Sequence, residues 1–140
     1  MRLAGPGPML VVDASCLVEV VIDSPRSEHI RERMAADPDQ AAPHVVDVEV
    51  FSVIRRFRML GRIDETAARQ AVDDLRLWPG ERYGHRLLLE RAWELRDSVR
   101  GWDAMYLALG EALGATVLTI DQRLGRLTGI DCPVEVLSIG

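Results

Sequence analysis

At 140 residues, with 48% apolar side chains, 28% charged ones and a net charge of −5, the chain suits one globular domain around a single core. No apolar run approaches the roughly 18–20 uncharged residues of a membrane helix, and the opening Met1–Pro8 lacks the apolar stretch of a secretory signal. All 17 basic residues are arginine, and lysine and asparagine are both missing. That excludes a Walker-type phosphate loop and Schiff-base catalysis, which need lysine. It also disfavours phosphoryl-accepting receiver domains and haloacid-dehalogenase-type phosphatases, which normally neutralise the phosphoryl group with lysine.

In chain order, Met1–Pro8 alternates Gly and Pro and reads as a flexible leader, with Met9 a candidate natural start and residues 9–140 a single domain. Met9-Leu10-Val11-Val12 is a continuous apolar run, the pattern of a strand buried on both faces, and it ends at Asp13. Ser15 suits a helix N-cap, with the helix running to about Ile22. Pro25 opens a second helix that ends near Asp37-Pro38. From Pro43 to about Leu60, the residues Val46, Val50, Val53, Ile54 and Phe57 recur at helical spacing, and Gly61 closes the helix. Asp64 caps the next helix, which carries Ala67, Ala68, Ala71, Val72 and Leu75. After the turn at Leu77–Gly80, helices are expected over Gly84–Arg96 and Trp102–Leu113, the second stopped by Gly114. Ala115–Ile120 is β-branched and apolar, a second buried strand, and Val134–Leu137 is the last. Strands alternating with helices imply an α/β sandwich around a parallel sheet. Cys16 and Cys132, the only cysteines, read as buried, inert thiols of a reducing, cytoplasmic protein.

The acids carry the functional signal. Asp13 and Asp121 each directly follow a buried strand, and ligand sites of open parallel sheets form beyond the carboxyl ends of the strands. Glu49 interrupts a mostly apolar stretch, Val45 to Val50. Asp103 falls in the first turn of its helix. Taken singly, such acids are commonly helix caps or dipole partners; gathered at one edge, they repel unless cations bridge them. Hard oxygen ligands select Mg2+ or Mn2+. Asp73, Asp74 and Glu111 read as solvated surface, and His29, His44 and His85 as structural.

Val11-Val12-Asp13-Ala14-Ser15 resembles the opening of a PIN domain of the VapC type. Pro43 to Val50 resembles that family's second acidic motif, a proline several residues before a helical Glu. Trp102 to Glu111, with Leu113-Gly114-Ala115, is similar to the third and is the most distinctive match; Leu118-Thr119-Ile120-Asp121-Gln122-Arg123-Leu124 matches the fourth. The resemblance implies a PIN-like three-layer α/β/α sandwich and a cytoplasmic endoribonuclease using Mg2+ or Mn2+, dimeric and restrained by a cognate VapB-type antitoxin. It places Asp13, Glu49 and Asp103 as metal ligands, Asp121 as a fourth acid acting through water, and Ser15 and Thr119 as hydrogen-bonders that hold the carboxylates. Family members often carry Asn near position 98, Ser or Thr near 100 and Tyr at 102; here the run is Asp97-Ser98-Val99-Arg100-Gly101-Trp102. Arginine clusters commonly form solvated helix faces. The functional reading assigns part of the Arg55–Arg62 group, among them Arg55, Arg56 and Arg58, together with Arg100, to an RNA path. A DNA- or structure-specific nuclease of the same fold and a catalytically dead partner-binding domain remain alternatives.

Overall fold

The computed structural model describes residues 9–138; the leader expected over residues 1–8 lies outside them. The sheet has five strands in the order β3-β2-β1-β4-β5, all parallel. β1 (Leu10–Val12) is its centre, and its three residues are at most 1% exposed. β4 (Thr116–Thr119) flanks it on one side, with β5 (Val134–Val136) beyond. β2 (Gln40–Pro43) and β3 (Glu81–Tyr83) lie on the other side. Helices cover both faces, the three-layer arrangement expected. α6 (Gly101–Leu113) packs on β1, β2 and β4 and carries α5 (Leu89–Glu94) on its outer side. α1 (Ala14–Val21), α2 (Ser27–Ala36), α3 (Val45–Met59) and α4 (Glu65–Leu77) pack on one another. No helix among the described residues is long and apolar enough to cross a membrane.

Several expected boundaries moved. Pro43 ends a strand instead of opening a helix: it pairs with Tyr83 in register, and His44 N–H donates the next bond to Tyr83 O (2.8 Å). Gln40-Ala41-Ala42-Pro43 lacks β-branched residues, so it carries no strand signal of its own; its place is set by neighbours on both sides. Gln40 also ties the layers together, donating to Met34 O (2.8 Å) and accepting from Trp78 Nε1 (3.0 Å). The single helix expected over Gly84–Arg96 is a 3-10 turn at Arg86–Leu88 followed by the short α5. Position 13, not Ser15, occupies the N-cap of α1, and Asp13 makes no side-chain capping bond there. Glu111, expected at the solvated surface, is an interior tie: it takes Arg91 Nε at 2.7 Å, Arg91 Nη2 at 3.1 Å and Asp131 N–H at 2.7 Å.

Other local signals hold. Asp64 caps α4 by accepting from Ala67 N–H (2.8 Å). Gly114 ends α6 in the left-handed conformation (φ 64°), which glycine adopts without penalty. Cys16 and Cys132 are free thiols; burial pushes both upward, Cys132 to about 12, so neither forms a reactive thiolate near neutrality.

The approach of α6 to β4 is set by Gly110, where a Cβ would lie 2.7 Å from Val117 Cγ2 and 3.0 Å from Cys132 Sγ. Gly110→Ala should therefore cost about 1–3 kcal/mol by overpacking, lowering the thermal midpoint by several degrees. Gly101→Ala, on the same helix with nothing within 4 Å, should leave it unchanged in the same melting experiment.

Candidate active site at the carboxyl edge of the sheet

Because all five strands are parallel, their carboxyl ends share one edge. The chain leaves β1 toward β2 on one side, while β4 returns on the other, so β1 and β4 straddle the point where the strand order reverses. Open α/β sheets bind ligands at such a point. Asp13 stands directly after β1, and Asp121 two residues after β4. Glu49 sits in the second turn of α3 and Asp103 in the first turn of α6.

Asp13 is buried at 6% exposure. Its Oδ2 accepts from Ser15 Oγ and from Thr119 Oγ1, both at 2.7 Å. Each hydroxyl has one hydrogen, so the 3.2 Å approach of Ser15 Oγ to Thr119 Oγ1 adds no further bond once both are donated. Their lone pairs are used as well: Ser15 Oγ accepts from Ile120 N–H (3.2 Å) and Thr119 Oγ1 from Asp121 N–H (3.0 Å). The residues leading to Asp121 are thus fixed by the groups that fix Asp13. Burial pushes the Asp13 carboxyl above its ordinary value; the bonds from Ser15, Thr119 and Ala14 N–H hold it down in part, and the charge of Asp121 adds to the rise.

Glu49 is half-buried, and Tyr106, fully buried on α6, donates its hydroxyl to Glu49 Oε1 (2.8 Å). Burial raises Glu49 to about 7, against the Tyr106 bond and with the charges of Asp13 and Asp103. Asp103 is also raised, first by burial and then by Asp13, while Arg123 and Arg100 pull it down. The charge of Asp13 therefore acts on both Glu49 and Asp103, and that of Asp103 acts on Glu49. Asp121 is different. Arg123 binds it with Nη2 2.6 Å from Oδ2 and Nε 3.1 Å from Oδ1, and holds its carboxyl below the usual range.

Among the described residues no three carboxylate, imidazole or thiolate side chains close into a ready-made ligand cage. The donor chemistry nevertheless fits a hard divalent cation: Asp13, Glu49 and Asp103 offer oxygen only, and desolvation disfavours the charge on each of them.

The expected arginines divide. Arg56 lies on the Glu49 side of α3 and lines a groove that opens on the acids. Arg55 and Arg58 face α4 instead, and Arg58 pairs with Glu65 (3.2 Å), because one helical position rotates a side chain by about 100°. Of the part of the Arg55–Arg62 group expected along an RNA path, Arg56 is therefore the one beside Glu49, while Arg55 and Arg58 lie on the α4 side. Arg100, exposed at the N-cap of α6, pulls both Asp103 and Asp121 downward. Tyr106 and Arg123 were not anticipated. Their signals were present: a polar tip one turn beyond Asp103 in an apolar run, and a cation two residues after Asp121.

Residues 10–130 match the model of the PIN domain. The chain is 34% identical over 128 residues to Ribonuclease VapC1 of Mycobacterium tuberculosis, covering 91% of this chain and 96% of that protein. With Ribonuclease VapC3 of the same organism the identity is 37% over 122 residues, covering 86% and 88%. The chain belongs to the VapC family of PIN domains. The fold agrees with a VapBC complex of Salmonella typhimurium bound to DNA (TM-score 0.68, 17% identity, 93% of this chain and 98% of that one). It agrees equally with VapBC2 of Rickettsia felis bound to a promoter fragment (TM-score 0.66, 14% identity, 93% and 99%). At those identities the likeness speaks for the fold alone, and the VapC assignment rests on the sequence relatives.

The raised acids of this VapC-family chain fix the sign of a pH effect. A carboxyl raised in the folded state binds protons more tightly there than in the unfolded chain, so stability increases as pH falls. For Glu49 the window runs from about 7 in the fold to the ordinary 4.5. In EDTA, the thermal midpoint should rise by a few degrees from pH 8 to pH 5, and Glu49→Gln should flatten much of that slope in the same buffers.

Proposed function

We propose that this chain is a metal-dependent endoribonuclease, the toxin of a VapBC-type toxin–antitoxin pair, acting at the edge defined by Asp13, Glu49, Asp103 and Asp121. The observation that carries the reading is the buried Asp13 carboxylate at the sheet's reversal point, electrostatically coupled to Glu49 and Asp103. The ribonuclease names of the relatives support RNA as the substrate. Asp13, Glu49 and Asp103 would hold Mg2+ or Mn2+. When bound, such an ion supplies positive charge against the charge growing on the phosphoryl oxygens and makes water a better nucleophile.

The chain's own residues do the rest. Ser15 and Thr119 orient the Asp13 carboxylate, and the Tyr106 hydroxyl orients Glu49. Asp121 contributes negative charge from the rim while engaged by Arg123. Arg56 and Arg100 offer guanidinium groups to the RNA backbone, as phosphate contacts dominate affinity. No nucleophilic Ser, Cys or Lys is needed. An exposed apolar groove of about 490 Å3 between α3 and α4, walled by Val48, Phe51, Val72 and Leu75, supports a protein partner. The VapBC neighbours support a VapB-type antitoxin in that role. A homodimer in the cytoplasm completes the reading.

Asp13→Asn or Asp103→Asn, each removing one charge at constant volume, should lower RNA cleavage at least 100-fold while circular dichroism stays unchanged. EDTA should stop the wild type, and Mn2+ or Mg2+ should restore it. Cleavage of total RNA and of single-stranded DNA run side by side decides the substrate: faster DNA cleavage, or full activity in Asp13→Asn, would overturn the reading. Arg56→Gln should weaken RNA binding and reduce its log-log salt slope by about 0.7, whereas Arg58→Gln should alter neither.

A further inference from the structure

A groove of about 500 Å3 runs beside the acids between α1 and α3 and reaches the start of α6. Its size falls within the roughly 300–1,000 Å3 of small-ligand sites. Val18, Val53 and Ile120 give it apolar walls, Glu49 joins it to the acidic centre, and Arg56 and Trp102 bring a cation and a π-face. Glu19 also lines it, with its carboxylate engaged by Arg26 at 3.3 Å.

Trp102 is 61% exposed. The other two tryptophans are accounted for locally: Trp78 is buried with Arg82 stacked 4.8 Å from its ring centre, and Trp93 carries Arg96 at 4.4 Å. Among the described residues Trp102 has no such arginine on its ring. It immediately precedes Asp103, so the indole and the carboxylate leave the same first turn of α6. On α3, Arg56 lies two turns beyond Glu49, about 10 Å along the axis. An unstacked base beside a cleaved phosphate needs an apolar slot, an aromatic face and a cation for the next phosphate, which is how single-stranded RNA is held.

We propose that this groove is a nucleobase subsite, in which a base adjoining the scissile phosphate stacks on Trp102 and the backbone beyond it runs to Arg56. The inference rests on the ribonuclease reading. It assigns Trp102 to substrate selection, because stacking of this kind binds single strands and rejects a base kept within a duplex.

The test uses the full chain with Mg2+ and a short single-stranded RNA of mixed sequence, with one abasic ribonucleotide scanned along either side of the cleaved bond. Trp102→Leu should lower kcat/KM about 10-fold or more, Trp102→Phe should recover most of it, and Mn2+ affinity and the thermal midpoint should not change. At one position next to the cleaved bond, the abasic RNA should cost the wild type the same factor and cost Trp102→Leu nothing further. Equal losses in both proteins at every position would overturn the subsite, as would Trp102→Leu acting like wild type on intact RNA. So would loss of antitoxin binding alone, which would assign the groove to the protein partner. Absence of RNA cleavage by the wild type would instead remove the ribonuclease reading itself.

Discussion

The site depends on one carboxylate held inside the protein. Asp13 lies at the end of the most buried strand, where burial disfavours its charge, and it is kept there by two hydroxyls that approach the same oxygen. Ser15 comes from the helix that follows β1, and Thr119 from the end of the neighbouring strand. Each hydroxyl also accepts a backbone N–H from the segment leading to Asp121. One bonding network therefore sets the orientation of Asp13, the register of β4's exit and the starting point of the Asp121 loop. A buried hydroxyl left without its partner costs about 1–3 kcal/mol, so this arrangement defines the edge sharply.

Around that point the acids fall into two electrostatic kinds. Arg123 matches Asp121, and Arg91 matches Glu111 at the far end of α6; both carboxyls are held below their ordinary values. Asp13, Glu49 and Asp103 receive hydrogen bonds or distant positive charge but no direct basic partner, and all three are raised. Helix α6 carries one acid of each kind, Asp103 at its start and Glu111 near its end. The contrast separates carboxylates already matched by an arginine, Asp121 at the rim among them, from those left without a cation, and position in the helix does not show which is which. Unmatched buried acids strain the fold unless something cationic joins them, the pattern expected where chemistry overrides stability.

The acids themselves were legible because each stands next to a strong local signal. Asp13 and Asp121 end apolar runs, and Asp103 opens a helix that Gly114 closes. The sheet was only partly legible. β2 and β3 read as Gln-Ala-Ala-Pro and Glu-Arg-Tyr, without β-branched alternation, and exist because β1 supplies a ladder for one and β2 for the other. The helix break near Leu88–Leu89 had no breaker residue to announce it. Tyr106 was hidden by its own burial: among Ala104, Leu107, Ala108 and Leu109 it reads as core, and it is core except for the hydroxyl that reaches Glu49. Which of Arg55, Arg56 and Arg58 faces the acids was not legible, because sequence proximity does not convey the rotation of a helix.

The placement of the arginines bears on the conflict between a net charge of −5 and the RNA substrate proposed above. Arg26, Arg31, Arg33, Arg58, Arg76, Arg82, Arg91 and Arg123 are engaged in ion pairs. Beside the acids, Arg56 and Arg100 have no such partner among the described residues; Arg56 lines the groove with Trp102 from α3, and Arg100 is the N-cap of α6, two residues before the indole in sequence. A polyanion within a Debye length of about 8–10 Å responds to these nearby guanidinium groups and largely loses sight of remote surface charge. On the proposed reading, the placement of these two arginines weighs more for a phosphate at this edge than the total charge does. Of the arginines outside these ion pairs, Arg56 lines the groove that Glu49 and Trp102 share, and Arg100 acts on Asp103 and Asp121, which is where the proposed RNA path needs positive charge.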